Sequence, residues 1–246
     1  MPTVQRSLEL DPAIQAVEVK ITAQVKDEAM VRQALERSGE EPEQREVYFY
    51  DTQDLALFDG GVVLRARKVS GGADDSTVKL RPVDPTTLSD AWKETEGFEV
   101  ELDGVGDATI CSAKMSADQN RDEIDEVAVG EREIRKLFSG PQEQLILEHA
   151  PTDVSWADLT VLGPVEVRKW KIDPKGFGEE VVAEEWTLPD RSDLIELSIK
   201  VEPERAQDAS ETFMVFLEEN GFTTEGDQQT KTRATLTYFT GGPGFA

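Results

Sequence analysis

Nine of the 26 lysine and arginine residues of this 246-residue chain lie on short segments in which charged and apolar residues alternate. They are Lys20 in VEVKI, Arg65 and Arg67 in VLRAR, Lys79 and Arg81 in TVKLR, Arg168 in VEVRKW, Lys200 in ELSIK, and Lys231 and Arg233 in TKTRATL. Residues two apart on a strand point to the same side, so each segment gathers its cations on one face. Six such strands in a sheet that closes around the charged face form a receptor for a polyanion. In a chain with a formal charge of −25, cations gathered this way call for a physical reason.

The elements that must position these residues can be read from periodicity. Residues 16–25 alternate as a strand, and 26–39 (KDEAMVRQALERSG) carries apolar residues at helical spacing up to the stop signal Gly39. EVYFYDT (46–52) is an aromatic strand, and DLALFDGG turns the chain into a strand over 62–68. SGGADDS connects to TVKLRPV, and GFEVELD (97–103) is a further strand. From about 104 to 162 the pattern turns helical, with a helix start at Ser139-Gly140-Pro141, and this stretch reads as an insertion packed on the sheet. Strands resume in GPVEVRKWKI, GEEVVAEEWTL and LIELSIKV. A helix over roughly 204–220 has Phe213, Met214, Phe216 and Leu217 on its core side, KTRATLTYF is a final strand, and GGPGFA (241–246) is a flexible tail.

Composition narrows the chemistry. The 51 acidic residues exclude a general binder of the nucleic-acid backbone as the primary role. With one cysteine and one histidine there is no intramolecular disulfide and almost no material for a zinc site or a Ser-His-Asp triad. A bound metal would be a hard cation held by carboxylates, Mg²⁺ or Mn²⁺ rather than zinc. No apolar run approaches membrane-spanning length and MPTVQRSLEL lacks a signal-peptide pattern, so a soluble, cytoplasmic protein without a membrane partner is expected.

A sheet with one buried face alternates in the same way while its charges simply meet water. Two features argue for an enclosed charged face. These faces use Lys, Arg and Glu with little Ser, Thr or Gln, and the chain supplies amphipathic helices to cover the opposite faces. A cationic interior is strongly unfavourable when dry and empty, so it implies an anionic ligand.

VEVKI, YFYDTQDLALFDGGVVLRARK, STVKLRP, LIELSIK and QTKTR together resemble the CYTH superfamily of triphosphate tunnel metalloenzymes, which includes class IV adenylyl cyclases, thiamine triphosphatases and inorganic triphosphatases. The resemblance implies an α+β fold: one tunnel domain, an eight-stranded antiparallel barrel with helices outside, holding a triphosphate and a divalent metal. It assigns phosphate binding to Arg65, Arg67, Lys79, Arg168 and Lys231, with Arg81, Lys200 and Arg233 beside them. Carboxylates suited to metal are Glu18, Glu196 and Glu184. Glu99 and Glu101 share a face at another acidic position, Glu101 being favoured. Where the family has two further carboxylates this chain has Ala16 and Ser198.

The implied activity is Mg²⁺- or Mn²⁺-dependent hydrolysis of a triphosphate-containing small molecule, inorganic triphosphate first, with Lys20 orienting or deprotonating the attacking water. Two alternatives stand: a non-catalytic sensor of triphosphate, polyphosphate or nucleotide, favoured by Ala16 and Ser198, and a class IV adenylyl cyclase.

Overall fold

The computed structural model describes residues 12–25, 41–105, 108–120, 122–174, 177–223 and 230–242. Nine strands close into a barrel: β1 (Ala16–Val25), β2 (Glu43–Asp51), β3 (Val62–Val69), β4 (Asp74–Leu80), β5 (Phe98–Val105), β6 (Ala108–Gln119), β7 (Thr160–Ile172), β8 (Val181–Thr187) and β9 (Asp193–Val201). Their order is β1-β5-β6-β4-β3-β2-β7-β8-β9, and β9 pairs back to β1. Every pairing in the ring is antiparallel except β1 with β5, which run parallel from Ala16 beside Glu101 to Lys20 beside Val105. A two-residue β10 (Phe222–Thr223) extends the far end of β1.

The expected eight antiparallel strands are therefore corrected to nine in a mixed barrel. One cause is β6, which lies in the stretch read as helical from 104 onward. ATICSAKMSADQ alternates after all, with Ala113 and Met115 in the core and Ser112 and Lys114 on the other face, but its small residues make the period faint.

Helices sit outside and between the strands: α1 (Ala56–Asp59), α2 (Asp90–Lys93), α3 (Glu123–Ala128), α4 (Gly140–His149), α5 (Ala206–Glu219) and α6 (Lys231–Phe239). The capping box at Ser139 starts α4, and the same Gln142 that completes it is fully buried. The Gln142 amide donates to the carbonyls of Ser76 and Met115, both at 3.1 Å, which fixes α4 across β4 and β6. Asp51 accepts from the backbone N–H groups of Thr52, Leu57 and Phe58, at 2.7, 2.9 and 2.9 Å, and so ties α1 to the end of β2. On α5 the core side is Ala209, Phe213 and Leu217, while Met214, expected inward, is 38% exposed.

The strand expected over KTRATLTYF is instead helix α6, capped by the Thr230 side chain, which accepts from Arg233 N–H at 3.3 Å. Its threonines favour a strand, but burial of Leu236 among apolar side chains decides for a helix. The amphipathic stretch 26–39 and the end of the tail lie outside the described residues. No helix among the described residues is long and apolar enough to cross a membrane.

Three apolar clusters follow from strand parity. One lies outside the barrel under α3 and α4, built on Tyr48, Tyr50, Leu64, Val78 and Met115. Another lies outside under α5, on Val17, Ile21, Leu197, Ile199 and Phe213. The third has the opposite parity: Val47, Phe49, Val165, Val167 and Trp186 meet Leu236 of α6 and fill one part of the interior.

Candidate active site

The rest of the interior is a cavity of about 1050 Å³. Among the described residues twelve lysines and arginines line it, against six acidic residues, reversing the sign of the protein as a whole. The parity of the strands produces this: on β1, β3, β4 and β9 the apolar alternates face the outer clusters, which turns Glu18 and Lys20, Arg65 and Arg67, Lys79, and Glu196 and Lys200 inward.

Glu18, Glu101 and Asp103 converge on one side, with a carboxylate oxygen of each within 4.8 Å of the others. The β1–β5 pairing sets Glu18 beside Asp103. Lysines surround the group. Lys20 Nζ is 2.8 Å from Glu18 and 3.1 Å from Asp103, Lys79 is 2.8 Å from Asp103, and Lys114 is 3.0 Å from Glu101. Lys200 also pairs with Glu101 and lies 3.3 Å from Glu99. Burial works against the charge on Lys20, but Glu18, Asp103 and Glu196 outweigh it and hold its pKa above the ordinary lysine value. Asp103 is likewise opposed by burial, yet Lys20, Lys79 and Arg81 keep it well below the usual carboxylate range. Burial wins at Lys79: with Lys20 adding repulsion, its pKa falls to about 8 in spite of Asp103.

Across the cavity, Glu184 is half-buried and pairs with Lys231, accepts from Trp186 Nε1–H at 3.1 Å and lies 3.5 Å from Arg45. Burial would raise its pKa; Lys231, Trp186 and Arg45 hold it well below the carboxylate range. Lys231 also reaches Glu196 at 2.7 Å and sits 5.0 Å over the Trp186 ring. Arg67 is held by Asp75 at 2.7 Å. Arg65, between them, has no carboxylate partner among the described residues; its Nε is buried and unpaired there, as is Nη2 of Arg81. Burial and the neighbouring Arg67 lower the Arg65 pKa to about 10, which leaves it charged at neutral pH. These donors have no acceptor among the described residues.

The same fold occurs in solved structures. A Bacillus halodurans protein described as a candidate adenylate cyclase superposes with a TM-score of 0.61 at 11% identity, over 89% of this chain and 97% of that one. HpAC1 of Hippeastrum, described as a candidate adenylyl cyclase with a dominant triphosphatase activity, gives a TM-score of 0.61 at 14% identity, over 89% and 95%. The fold is of the CYTH type. No protein-family model and no curated protein matches the sequence, so the likeness is one of architecture.

Within this CYTH-type barrel Lys20, Arg65, Arg67, Lys79, Arg81, Lys200, Lys231, Arg233, Glu18, Glu101, Glu184 and Glu196 all line the cavity. Lys231 and Arg233 do so from a helix, Arg233 at the rim over the Phe58 ring at 5.0 Å. Glu99, on the same face as Glu101, lies at the edge and is partnered by Lys114 and Lys200, both at 3.3 Å. Arg168 is the exception: it points outward to Glu185, Nε to oxygen 2.6 Å, and Lys169 takes the inward position. Arg168 shares its face with Trp170, which belongs to the outer cluster under α5.

Sequence reasoning missed Arg45, Lys114, Lys169 and Asp103. Arg45 precedes the stretch read as strand, and Lys114 lies in the misread β6. Asp103 has the parity of Glu99 and Glu101, a signal that was there to use. The donor set of Glu18, Glu101 and Asp103, all oxygen, fits a hard divalent cation. Glu184 and Glu196 are not in that group and are both bound to Lys231.

Proposed function

We propose that the cavity binds a triphosphate group and that the protein hydrolyses it with the help of Mg²⁺ or Mn²⁺. One observation carries the reading: a closed interior with an excess of cations, two of whose guanidinium groups have buried nitrogens without partners. Such donors are costly unless an anion meets them. The triphosphatase activity described for the Hippeastrum protein of the same fold supports it.

Arg65, Arg67 and Arg81 bind phosphate oxygens through planar forks, while Lys79, Lys200 and Lys231 act as point charges. Lys20, whose charge is favoured by Glu18, Asp103 and Glu196, orients the anion or the attacking water. Glu18, Glu101 and Asp103 would hold the divalent cation, which would supply Lewis-acid stabilisation of the charge that develops on phosphate oxygens. Phosphoryl transfer of this kind depends on positioning and electrostatics, so the lack of a histidine or cysteine nucleophile is no obstacle.

A phosphate-release panel tests the proposal with triphosphate, thiamine triphosphate, ATP and longer polyphosphate, each with Mg²⁺, Mn²⁺ or chelator. Metal-dependent release of phosphate from a triphosphate is expected. Binding without turnover under either metal would instead make the protein a sensor, the reading favoured by Ala16 and Ser198. Pyrophosphate and cyclic nucleotide formed from ATP would make it a cyclase.

A further inference from the structure

The carboxylates best placed for a divalent cation are all engaged by lysines: Lys20, Lys79 and Lys200, which the proposed function assigns to the anion or the water, and Lys114, which it leaves unassigned. Lys20 Nζ sits between Glu18 and Asp103, at 2.8 and 3.1 Å. Lys79 takes the other oxygen of Asp103 at 2.8 Å, which also accepts from the Ser112 hydroxyl at 2.7 Å. Lys114 and Lys200 share one oxygen of Glu101. Four ammonium groups thus serve three carboxylates within one cluster.

Simple charge counting says what each ligand meets. A divalent cation approaching this cluster alone must displace ammonium groups that then have no acceptor, and a buried cation left so is strongly disfavoured. A polyphosphate alone draws lysines away from Asp103, whose side chain is fully buried and would be left uncompensated. When both arrive, every pair can exchange: ammonium to phosphate, carboxylate to cation. The two departures from the family pattern tilt the cluster the same way. Ala16 stands beside Glu101 and Ser198 beside Lys20 in the strand register, so the positions that would have diluted the lysines with carboxylate carry none.

We infer that Lys20 and Lys79 are resident counter-ions of the Glu18–Glu101–Asp103 cluster, so that a divalent cation and a phosphate anion bind as a coupled pair and each binds weakly alone. The inference rests on the reading of the cavity as a triphosphate site. The coupling is reciprocal by linkage, each ligand tightening the other by the same factor, on the order of 5- to 150-fold.

The test is a Mn²⁺ titration followed by electron paramagnetic resonance, with no phosphate added, on the full chain and on Lys20→Met and Lys79→Met. Each variant is expected to bind Mn²⁺ at least about fivefold more tightly than wild type. Adding Glu18→Gln to Lys79→Met should erase that gain and so place the ion in the cluster. Thermal melts verify folding, and Lys114→Met, which frees Glu101 alone, replaces Lys20→Met if that variant does not fold. Equal Mn²⁺ affinity in wild type and variants, no Mn²⁺ binding in any of them, or a gain that survives Glu18→Gln would overturn the inference. Because neither phosphate nor turnover enters this experiment, the phosphate-release panel can fail while the exchange holds, and the reverse.

Discussion

The two sides of the cavity use the same residue types to opposite effect. Around Glu18, Glu101 and Asp103 each lysine has a carboxylate, and the side is close to a neutral lattice. Around Arg65 the cations outnumber their partners by one: Arg67 has Asp75, Arg45 pairs with Glu43 and shares Glu184 with Lys231, Lys231 also reaches Glu196, and Arg65 and Lys169 have no carboxylate within ion-pair distance among the described residues. Burial lowers the pKa of Lys169 and, with Arg67, that of Arg65, the mark of charge held without compensation. The first side can organise a cation, and the second has affinity to spare for an anion.

Substitutions that separate the two sides should separate catalysis from binding. The largest effect is expected from Glu18→Gln, which removes a cation ligand and spares the arginines. Turnover should fall on the order of 100-fold or more, since a divalent ion supplies several kcal/mol to such a transition state, while the triphosphate-induced rise in melting temperature measured without divalent metal stays. Next, Arg65→Ala should weaken triphosphate binding roughly 10- to 100-fold, from about 1.5–3 kcal/mol per hydrogen bond to a charged group, as read by the same thermal shift. If Glu18→Gln abolished binding and Arg65→Ala did not, the roles of the two sides would be reversed.

Smaller effects sharpen the contrast. Glu184 has its pKa depressed in the folded protein, so its contribution is complete above the unfolded value of 4.5 and is lost as pH falls below it toward the lower folded value. Glu184→Gln should therefore lower the melting temperature by a few degrees at pH 7, corresponding to about 1–3 kcal/mol. The gap from wild type should narrow as melts are taken from pH 5 down to pH 3. A gap that stayed constant over that range would mean that packing, not the ion pairs to Lys231 and Arg45, accounts for it. Smallest of all, Arg168→Ala should leave triphosphate binding within about twofold, because an outward, part-exposed pair contributes at most about 1 kcal/mol to stability. Lys169→Ala, one position away, should weaken binding severalfold.

That last contrast shows where the sequence stops being decisive. Strand alternation was enough to gather Lys20, Arg65, Arg67, Lys79 and Lys200 on one face, because their neighbours are aliphatic apart from Lys68 after Arg67. In VEVRKWKI both parities mix apolar and charged residues: Val165, Val167, Lys169 and Lys171 on one, Glu166, Arg168 and Trp170 on the other. The barrel interior is itself apolar where α6 packs and cationic elsewhere, so hydrophobicity alone does not tell inside from outside there. Only pairing with β2 and β8 fixes the parity. A similar conflict hid α6, where threonine-rich sequence favours a strand and long-range burial of Leu236 favours a helix. The absent carboxylates, by contrast, were legible at once, and the register adds only which neighbours they leave behind.

The separation of charge between wall and surface also sets how a ligand gets in. With the cavity lined by an excess of bases in a chain of net charge −25, the outer surface is even more acidic than the whole. A multiply charged anion is repelled until it comes within a screening length, about 8–10 Å, of the cationic wall. Salt acts on capture and on retention in opposite ways: it lowers the barrier to approach and weakens the clamp once the anion is inside. Capture should therefore speed up as ionic strength rises from low values, the inverse of ordinary electrostatic steering, and polyanions too bulky to enter are turned away by the same field.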